Sequence, residues 1–511
     1  MASIASQPSE RPPHLIGWLL GILLLRLAFA AAVPLVPDEA YYWAWSRQLA
    51  GGYFDHPPVI AWLIAGGTAL LGDTPLGVRL LPNVASTLAT AAIAWTADVL
   101  AGPRAARFAL LAFAAMPVAA VGMILATPDA PLLLGIAWTL CCVTHALSHP
   151  VRSPSATRWW VGAGLAIGVA MASKFTAVLV PIGLTLTILA VPALRPRLRE
   201  PGPWLAVAVA SVVMVPVLLW NASHDWIAFR FQLGHGLGGG AKESLLQREL
   251  NLLGGQALLV TPLLFGLLLG ALGRAVRDEP RRRALAGVAL FCLAFFVFSA
   301  TRKNVEANWP AIAWVPAVAL MAAARPGART VWERRALLLA AALSALLLAH
   351  VVRPLVALPG SRDPVNQAHG WSDLTAAVEA QRSALAASTP SDVVGPSTAP
   401  LVAANRYQDA AMLAFHLPGH PEIPSLNLGG RANQYDLWPG APDRLTVGGT
   451  MLLVLELPRD GGAPPAIAAL TAVFPSITPG DTVALTRDGR TVARRQLWTL
   501  TGWTGTWPAR P

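Results

Sequence analysis

The chain is short of charge. Only 13% of its 511 residues are Asp, Glu, Lys or Arg, while 55% are hydrophobic; a soluble globular domain carries about 25% charged residues. That shortage excludes an ordinary water-covered globule, so much of the surface faces something other than water. Cysteine is scarce too. Cys141 and Cys142 are adjacent and Cys292 lies in another apolar run. None has metal-site spacing or an obvious disulfide partner, which leaves all three as lipid-facing or packing residues. Also missing are a GxGxxG fingerprint, a P-loop, a metalloprotease signature and clear internal repeats.

What is present is a series of apolar runs, each near the roughly 20 residues that a helix needs to cross a bilayer, and a mean hydropathy of +0.53. They predict about eleven helices, over 15–35, 77–98, 106–126, 129–147, 159–174, 176–193, 203–220, 252–272, 284–300, 308–324 and 335–353. The first run, although it contains AFAA, reads as an uncleaved helix because it is longer than a signal core. Hydropathy fades after about position 353. The chain therefore reads as an all-α membrane domain, 1–353, followed by an extramembrane α/β domain, 354–511.

The formal charge is +11, but the basic residues sit in short clusters between apolar runs and read as topology signals, not as a nucleic-acid surface. With the N-terminus inside, the segments around Arg104 and Arg107, Arg152 and Arg158, Arg195 to Arg199, Arg274 to Arg283 and Arg325 to Arg335 all fall on the inner side. The C-terminal domain then lies outside. The outer segments carry different residues: VPDEAYYWAWSRQLAGGYFDHPP after the first helix, ATPDAP, the loop from Asn221 to Leu250, and TRKNVEANWP. Ala40 to Ala50 and Pro58 to Leu71 read as interfacial helices, where Trp and Tyr are favoured.

Several residues in those outer segments have the types that carry chemistry. Asp38 and Glu39 follow Pro37; adjacent residues point about 100 degrees apart on a helix, so one addresses a reacting centre while the other orients a neighbour, or both are loop acids capping a helix. Asp55 and His56 precede a stiff Pro57-Pro58 turn, and His56 suits a phosphate, a metal or a local hydrogen bond. Asp38, His56 and Asp129 together have the donor types for a divalent metal. Asp129, in TPD, is either a site carboxylate or an N-cap. Lys174 in an apolar segment is costly unless partnered or drawn to a lipid headgroup, and Arg26 reads as a structural partner of another helix. Arg302 and Lys303 break the inside bias of the other basic clusters and suit phosphate oxygens, with Trp309 as a sugar platform or interfacial anchor. GHGLGGG, Gly234 to Gly240, suits a loop that orders over substrate.

In the C-terminal region LVAANRY, PEIPSLNL, TMLLVLEL and AIAALTAVF read as strands or short core segments, Asp373 to Ala387 as a helix, and Asp481 to Leu500 as a hairpin turning at Asp488 and Gly489. GGRANQYDLWPG is a polar, aromatic loop suited to an acceptor.

PDEAYY, FDHPP, RLLPN at Arg79 to Asn83, TPD, SKFT around Lys174 and ANWP occur in an order that resembles the bacterial branch of the protein O-mannosyltransferase and aminoarabinose (lipid A) transferase superfamily, with the GT-C fold and likeness to glycosyltransferase family 39. The resemblance implies inverting transfer of a sugar from a polyprenyl-phosphate donor to an envelope lipid, glycan or protein at the outer face of the cytoplasmic membrane. By that similarity Asp38 is the main catalytic carboxylate and Glu39 and Asp129 shape the site. His56, Lys174, Arg302, Lys303 and Trp309 are the candidate donor contacts. Aminoarabinose transferases usually have Lys before the paired prolines; His56 stands there in this chain and puts that sugar in doubt. The competing readings are a flippase for lipid-linked glycans, which predicts repeats and a polar path, and a non-catalytic scaffold that binds envelope glycans. The expected partners are the donor, the acceptor and membrane lipids.

Overall fold

The computed structural model describes residues 13–238, 243–325, 330–356, 363–388, 399–457 and 464–508. The chain divides into two compact units. The first comprises residues 1–32 and 49–352, the second Val33–Gln48 together with Arg353–Pro511.

The first unit is helical. Among the described residues six helices are long and apolar enough to cross a membrane: Leu15–Ala32, Pro75–Ala101, Asp129–Ser148, Pro201–Ala222, Pro280–Ala300 and Val331–Val352. Three further apolar stretches, expected as single spans over 106–126, 176–193 and 252–272, are broken. Pro103–Ala115 meets Pro117–Ile124 at 73°, Phe175–Ala190 meets Pro192–Arg199 at 116°, and Leu245–Val260 meets Pro262–Ala275 at 101°. Each break falls on an X–Pro step. Met116 and Val191 are extended, and Thr261 has φ +72°. Proline disfavours helical geometry in the residue before it and has no N–H to continue the ladder. Val59–Leu71 and Ala311–Ala323 are shorter apolar helices.

Helices approach closely where side chains are small. A Cβ on Gly135 would lie 2.6 Å from the Ala166 carbonyl oxygen, and one on Gly164 would lie 2.5 Å from that of Ala206. These glycines let Asp129–Ser148, Pro154–Met171 and Pro201–Ala222 pack backbone to backbone, as small residues do between membrane helices. The core is correspondingly rich in alanine, with Phe113, Phe296 and Trp314 as its large fillers. Leu24, Val212, Leu258 and Leu338 stay exposed, an apolar exterior that suits lipid.

The broken span at 103–124 leaves carbonyls that no helix satisfies, and neighbouring side chains supply the donors. Ser344 Oγ reaches the Ala115 oxygen at 2.7 Å and Arg26 reaches that of Ala119 at 3.1 Å. Ser86 Oγ donates to the Met123 oxygen at 3.0 Å and Asn83 Nδ2 to that of Ile124 at 2.9 Å. Within an apolar medium each group left unsatisfied costs several kcal/mol. Arg26 is therefore the inter-helix structural partner that the sequence suggests. The RLLPN segment acts as a brace: Asn83 holds the loop leading to TPD, and Arg79, fully buried, donates to the Ala30 oxygen at 3.1 Å.

The second unit holds a four-stranded sheet in the order β1-β2-β4-β3. β1 is Leu401–Ala404, β2 Met451–Glu456, β3 Ser476–Arg487 and β4 Arg490–Thr501. β1 and β2 are parallel; β4 runs antiparallel to both β2 and β3. The β3–β4 hairpin turns at Asp488 and Gly489, both with positive φ, as the sequence predicts. Helix Trp371–Ser388 also matches expectation. PEIPSLNL forms only an isolated bridge, Ala404 with Ser425, and AIAALTAVF starts as the short helix Pro465–Leu470, not a strand. Two buried ion pairs tie the unit together. Arg495 grips Asp409 through two nitrogens at 3.0 and 3.1 Å, and Arg487 meets Asp363 at 2.9 Å.

Candidate functional site

In the first unit three of the singled-out motifs converge on one carboxylate. Asp129 occupies the first turn of Asp129–Ser148; the N-cap is Pro128 with no side-chain capping bond, so the carboxylate is not the N-cap that its position suggests. Instead Oδ1 accepts from Lys174 Nζ at 2.7 Å and Oδ2 from Asn308 Nδ2 at 2.5 Å. Lys174 stands in the irregular stretch between Pro154–Met171 and Phe175–Val178, with extended φ/ψ of −156°/132°. Asn308 precedes Ala311–Ala323. Side-chain exposure is 10% for Lys174 and 20% for Asp129, low enough for the pair to feel a poor dielectric. A helix N-terminus adds favourable potential for the acid.

The FDHPP turn abuts the Lys174 break. The Val59 N–H donates to the Ala172 oxygen at 3.2 Å, and the Tyr53 N–H closes the turn on the His56 oxygen at 3.1 Å. Asp55 is buried and His56 half-buried. Helix Ile227–Leu237, from the long loop after Pro201–Ala222, clasps both segments. Gln232 Nε2 donates to the Asp55 carbonyl at 2.5 Å, Phe231 packs on Phe54 at 5.0 Å and Phe229 on Phe175 at 4.4 Å. Sequence reasoning did not single out Gln232; the aromatic–polar alternation FRFQ was the available signal. Lys242 and part of the GHGLGGG segment lie outside the described residues.

Arg302 is exposed, with its guanidinium 5.3 Å from the centre of the Phe298 ring. Burial holds the Lys303 ammonium below the usual lysine range, while Glu306 acts in the opposite sense. Trp309 is half-buried and packs against the helical core. Arg248 caps the end of Pro280–Ala300 with bonds of 2.8 Å to each of the Ala300 and Thr301 oxygens.

Asp38 and Glu39 belong to the second unit, on helix Pro37–Ser46, which begins and ends earlier than the expected 40–50. Glu39 is fully buried and its Oε2 accepts the Val36 N–H at 3.1 Å; it closes the helix start from the third helical position, a capping-box role. Asp38, on a different side of the helix, is exposed. Further along, Tyr41 Oη accepts the Gln434 N–H at 2.7 Å and its ring packs on Tyr407 and Tyr435 at 4.5 and 5.9 Å. Trp43 meets Phe415 edge-on at 5.1 Å. Arg431 donates to Tyr407 Oη at 3.0 Å. The GGRANQYDLWPG loop and Tyr407 thus act as the seat of the helix that carries Asp38. Within either unit, among the described residues, no group of three His, Cys, Asp or Glu is arranged to hold a metal ion.

A family model described as dolichyl-phosphate-mannose-protein mannosyltransferase matches residues 55–220. This range covers the DHPP, TPD and SKFT segments. The chain is 30% identical over 304 residues to the lipid A galacturonosyltransferase RgtD of Rhizobium johnstonii, a stretch that covers 58% of this chain and 62% of that protein. It is 27% identical over 227 residues to an undecaprenyl phosphate-alpha-4-amino-4-deoxy-L-arabinose arabinosyl transferase of Pseudomonas fluorescens, covering 40% of this chain and 39% of that one. The chain thus matches less than two thirds of the length of either relative. The crystal structure of ArnT from Cupriavidus metallidurans bound to undecaprenyl phosphate superposes with a TM-score of 0.64 at 19% identity, covering 96% of this chain and 98% of that one. The likeness to that structure over nearly the whole length shows that this chain has its GT-C-type fold, while in sequence the chain is similar to the mannosyltransferase family over residues 55–220 and to parts of the two transferases.

Proposed function

We propose that the chain transfers a sugar from a polyprenyl-phosphate donor to an envelope acceptor, with inversion, at the outer face of the bacterial cytoplasmic membrane. In this reading the N-terminus is cytoplasmic and residues 354–511 are periplasmic, in keeping with the basic inner loops. The observation that carries the reading is the convergence of Lys174 and Asn308 on Asp129. A desolvated, ion-paired acid among the ends of apolar helices is a costly arrangement that marks function more often than packing. The relatives named as transferases of galacturonosyl and aminoarabinosyl groups, and the ArnT structure with undecaprenyl phosphate, support the same substrate class.

The steps follow from the residue chemistry. An acceptor hydroxyl attacks the anomeric carbon on the face opposite the phosphate, and its proton passes to the Asp38 carboxylate. The bond from the anomeric carbon to the phosphate oxygen breaks, and its electron pair leaves with polyprenyl phosphate. Cationic groups among His56, Lys174, Arg302 and Lys303 offset the charge that grows on the departing phosphate. Asp129, held by Lys174 and Asn308, shapes the site. Where the acceptor is itself a phosphate, it needs no base, and Asp38 orients it instead.

Transfer of label from a panel of polyprenyl-phosphate sugars to envelope acceptors in proteoliposomes tests this. With a hydroxyl acceptor, Asp38→Asn lowers transfer by about 10²–10⁴-fold, the usual worth of a general base, while thermal stability is kept. Unchanged transfer removes Asp38 from catalysis. If the parent protein labels nothing across the panel, the transferase reading fails and lipid translocation becomes the assay to run.

A further inference from the structure

Thr301 to Pro310, the stretch that carries Arg302, Lys303 and Asn308, is a run of turns between two helices. Among the described residues the backbone N–H groups of Asn304 to Asn308 enter no backbone hydrogen bond. The stretch therefore has no ladder of its own to fix its shape and takes it from what packs against it. Helix Leu245–Val260 supplies that support at two points. Arg248, near its start, holds the Ala300 and Thr301 carbonyls. Two turns further on, about 12 Å along the axis, Gln256 Nε2 donates to the Ala307 carbonyl at 2.8 Å. Gly255 lies against the same residue, since a Cβ there would stand 3.2 Å from that of Ala307.

Gln256 is a costly residue in an apolar helix. It is buried, and a buried amide is tolerated only when its polar atoms are paired. Both ends are paired here, because Gln256 Oε1 also accepts from Trp314 Nε1 at 2.9 Å. A backbone carbonyl can only accept and an indole N–H can only donate, so these two partners permit one orientation of the amide. Trp314 is itself fully buried on helix Ala311–Ala323 and gives Gln256 a fixed reference. The break at the end of Leu245–Val260 is strained. Thr261 has φ +72° where the chain turns by 101° into Pro262–Ala275, a conformation that a β-branched residue keeps only when its surroundings impose it.

The Ala307 carbonyl lies in the same rigid peptide plane as the Asn308 N–H. Fixing that plane sets the direction in which the Asn308 side chain leaves the backbone. Its Nδ2 is the donor to Asp129 Oδ2 at 2.5 Å, and the other oxygen of that carboxylate takes Lys174. We infer that Gln256 is a positioning residue for the transfer: it acts through Asn308 to hold the Asp129 carboxylate, and with it the Lys174 ammonium, in one orientation. This role presupposes the transfer reading and adds to it a residue outside the reacting groups. Without Gln256 the peptide plane turns freely, Asn308 loses its aim, and the carboxylate swings toward Lys174 alone.

The full chain in lipid nanodiscs, with asparagine alone isotopically labelled and read by solid-state NMR, reports this geometry without any substrate. The side-chain amide resonance of Asn308 is assigned by its loss in Asn308→Ala. In Gln256→Met that resonance is expected to move away from the position of a carboxylate-bound amide. Transfer from a polyprenyl-phosphate sugar falls about 10–100-fold in the same variant, the usual cost of a slightly misplaced group. In the Asn308→Ala background Gln256→Met costs no further transfer, whereas a residue with a purely structural role would add its full effect. Gln256→Glu, whose protonated carboxyl both donates and accepts, recovers transfer relative to the parent chain as the pH is lowered. Should Gln256→Met not fold, movement of the Asn308 resonance with pH in Gln256→Glu decides the same point. A resonance that stays in place, or losses that add in the double variant, overturns the role. A fixed resonance beside normal transfer by the parent chain defeats Gln256 alone; a resonance that moves, with no transfer by the parent chain from any donor, defeats the transfer reading and leaves only the structural link.

Discussion

Replacing Asp129 or Lys174 singly and together probes the central cluster most directly. The pair is 2.7 Å apart with side chains 20% and 10% exposed. Breaking a fully buried pair costs about 3–5 kcal/mol, because one charge is left without compensation; partial exposure lowers that here to about 2–3 kcal/mol. Asp129→Asn strands the Lys174 ammonium, so it takes the upper figure. Lys174→Met leaves the carboxylate with its Asn308 donor at 2.5 Å and costs less, about 2 kcal/mol. The double variant has no stranded charge, so its cost falls to no more than the roughly 3 kcal/mol of Asp129→Asn, at least about 2 kcal/mol short of the roughly 5 kcal/mol sum. A coupling of about 2 kcal/mol corresponds to about a 30-fold change in the folded ratio. Equilibrium unfolding in mixed micelles, titrated with a denaturing surfactant, measures all four proteins. Single costs that add to within about 0.5 kcal/mol would refute the contact and with it the convergence on which the site is built.

Two further outcomes are expected. Asn83→Ala removes the donor to the Ile124 oxygen and lowers stability by about 1–3 kcal/mol, measurable in the same micelle titration; an unchanged midpoint would show that the loop before TPD is not held by this side chain. The second unit should lose stability in two acid steps. Burial keeps the His416 imidazole below its ordinary 6.5, although its bond to the Met412 carbonyl pulls the other way. The hydrogen bond from Arg444 holds Glu422 below its ordinary 4.5. In both cases the unfolded chain takes up the proton first, so stability is complete above the ordinary value and falls as pH drops beneath it. Thermal midpoints recorded from pH 7.5 to 4 should decline below about 6.5 and decline less in His416→Gln; a flat profile down to pH 5 would contradict the assignment.

Much of this architecture is legible in the sequence, and the failures share a cause. The spans at Pro75–Ala101, Asp129–Ser148, Pro201–Ala222, Pro280–Ala300 and Val331–Val352 stand out because uninterrupted apolar runs of that length have few other uses. The breaks at Met116, Val191 and Thr261 are hidden because hydropathy is summed over a window, and one proline barely changes the sum. AIAALTAVF proves to be a core segment, with Ala466, Leu470, Val473 and Phe474 buried, but its helical start stays hidden because a short apolar run does not reveal its period. Asp129, Lys174 and Asn308 each draw attention as polar residues in apolar or outer segments, but 45 and 179 positions separate the partners, and spacing says nothing about distance across a bundle. Gln232 escapes notice because a lone amide in a loop helix looks solvated. That Val33–Gln48 folds with the second unit is equally invisible, since its aromatic partners lie more than 350 residues downstream.

The side chains that satisfy the broken span also set a schedule. Arg26, Asn83 and Ser86 precede the break and are already synthesised when residues 103–124 leave the ribosome, but Ser344, donor to the Ala115 oxygen, follows 229 positions later. At about 5–20 residues per second, that carbonyl waits roughly 10–50 s for its partner. Until then the segment has reason to stay near the lipid headgroups, where water substitutes for the hydroxyl. Cysteine labelling at Ala115 in chains halted before Ser344 should therefore exceed labelling in the complete protein; equal labelling would mean that the earlier three donors hold the segment unaided. The last span of the membrane unit is in this sense the latch on its third, and assembly ends where the chain returns to close it.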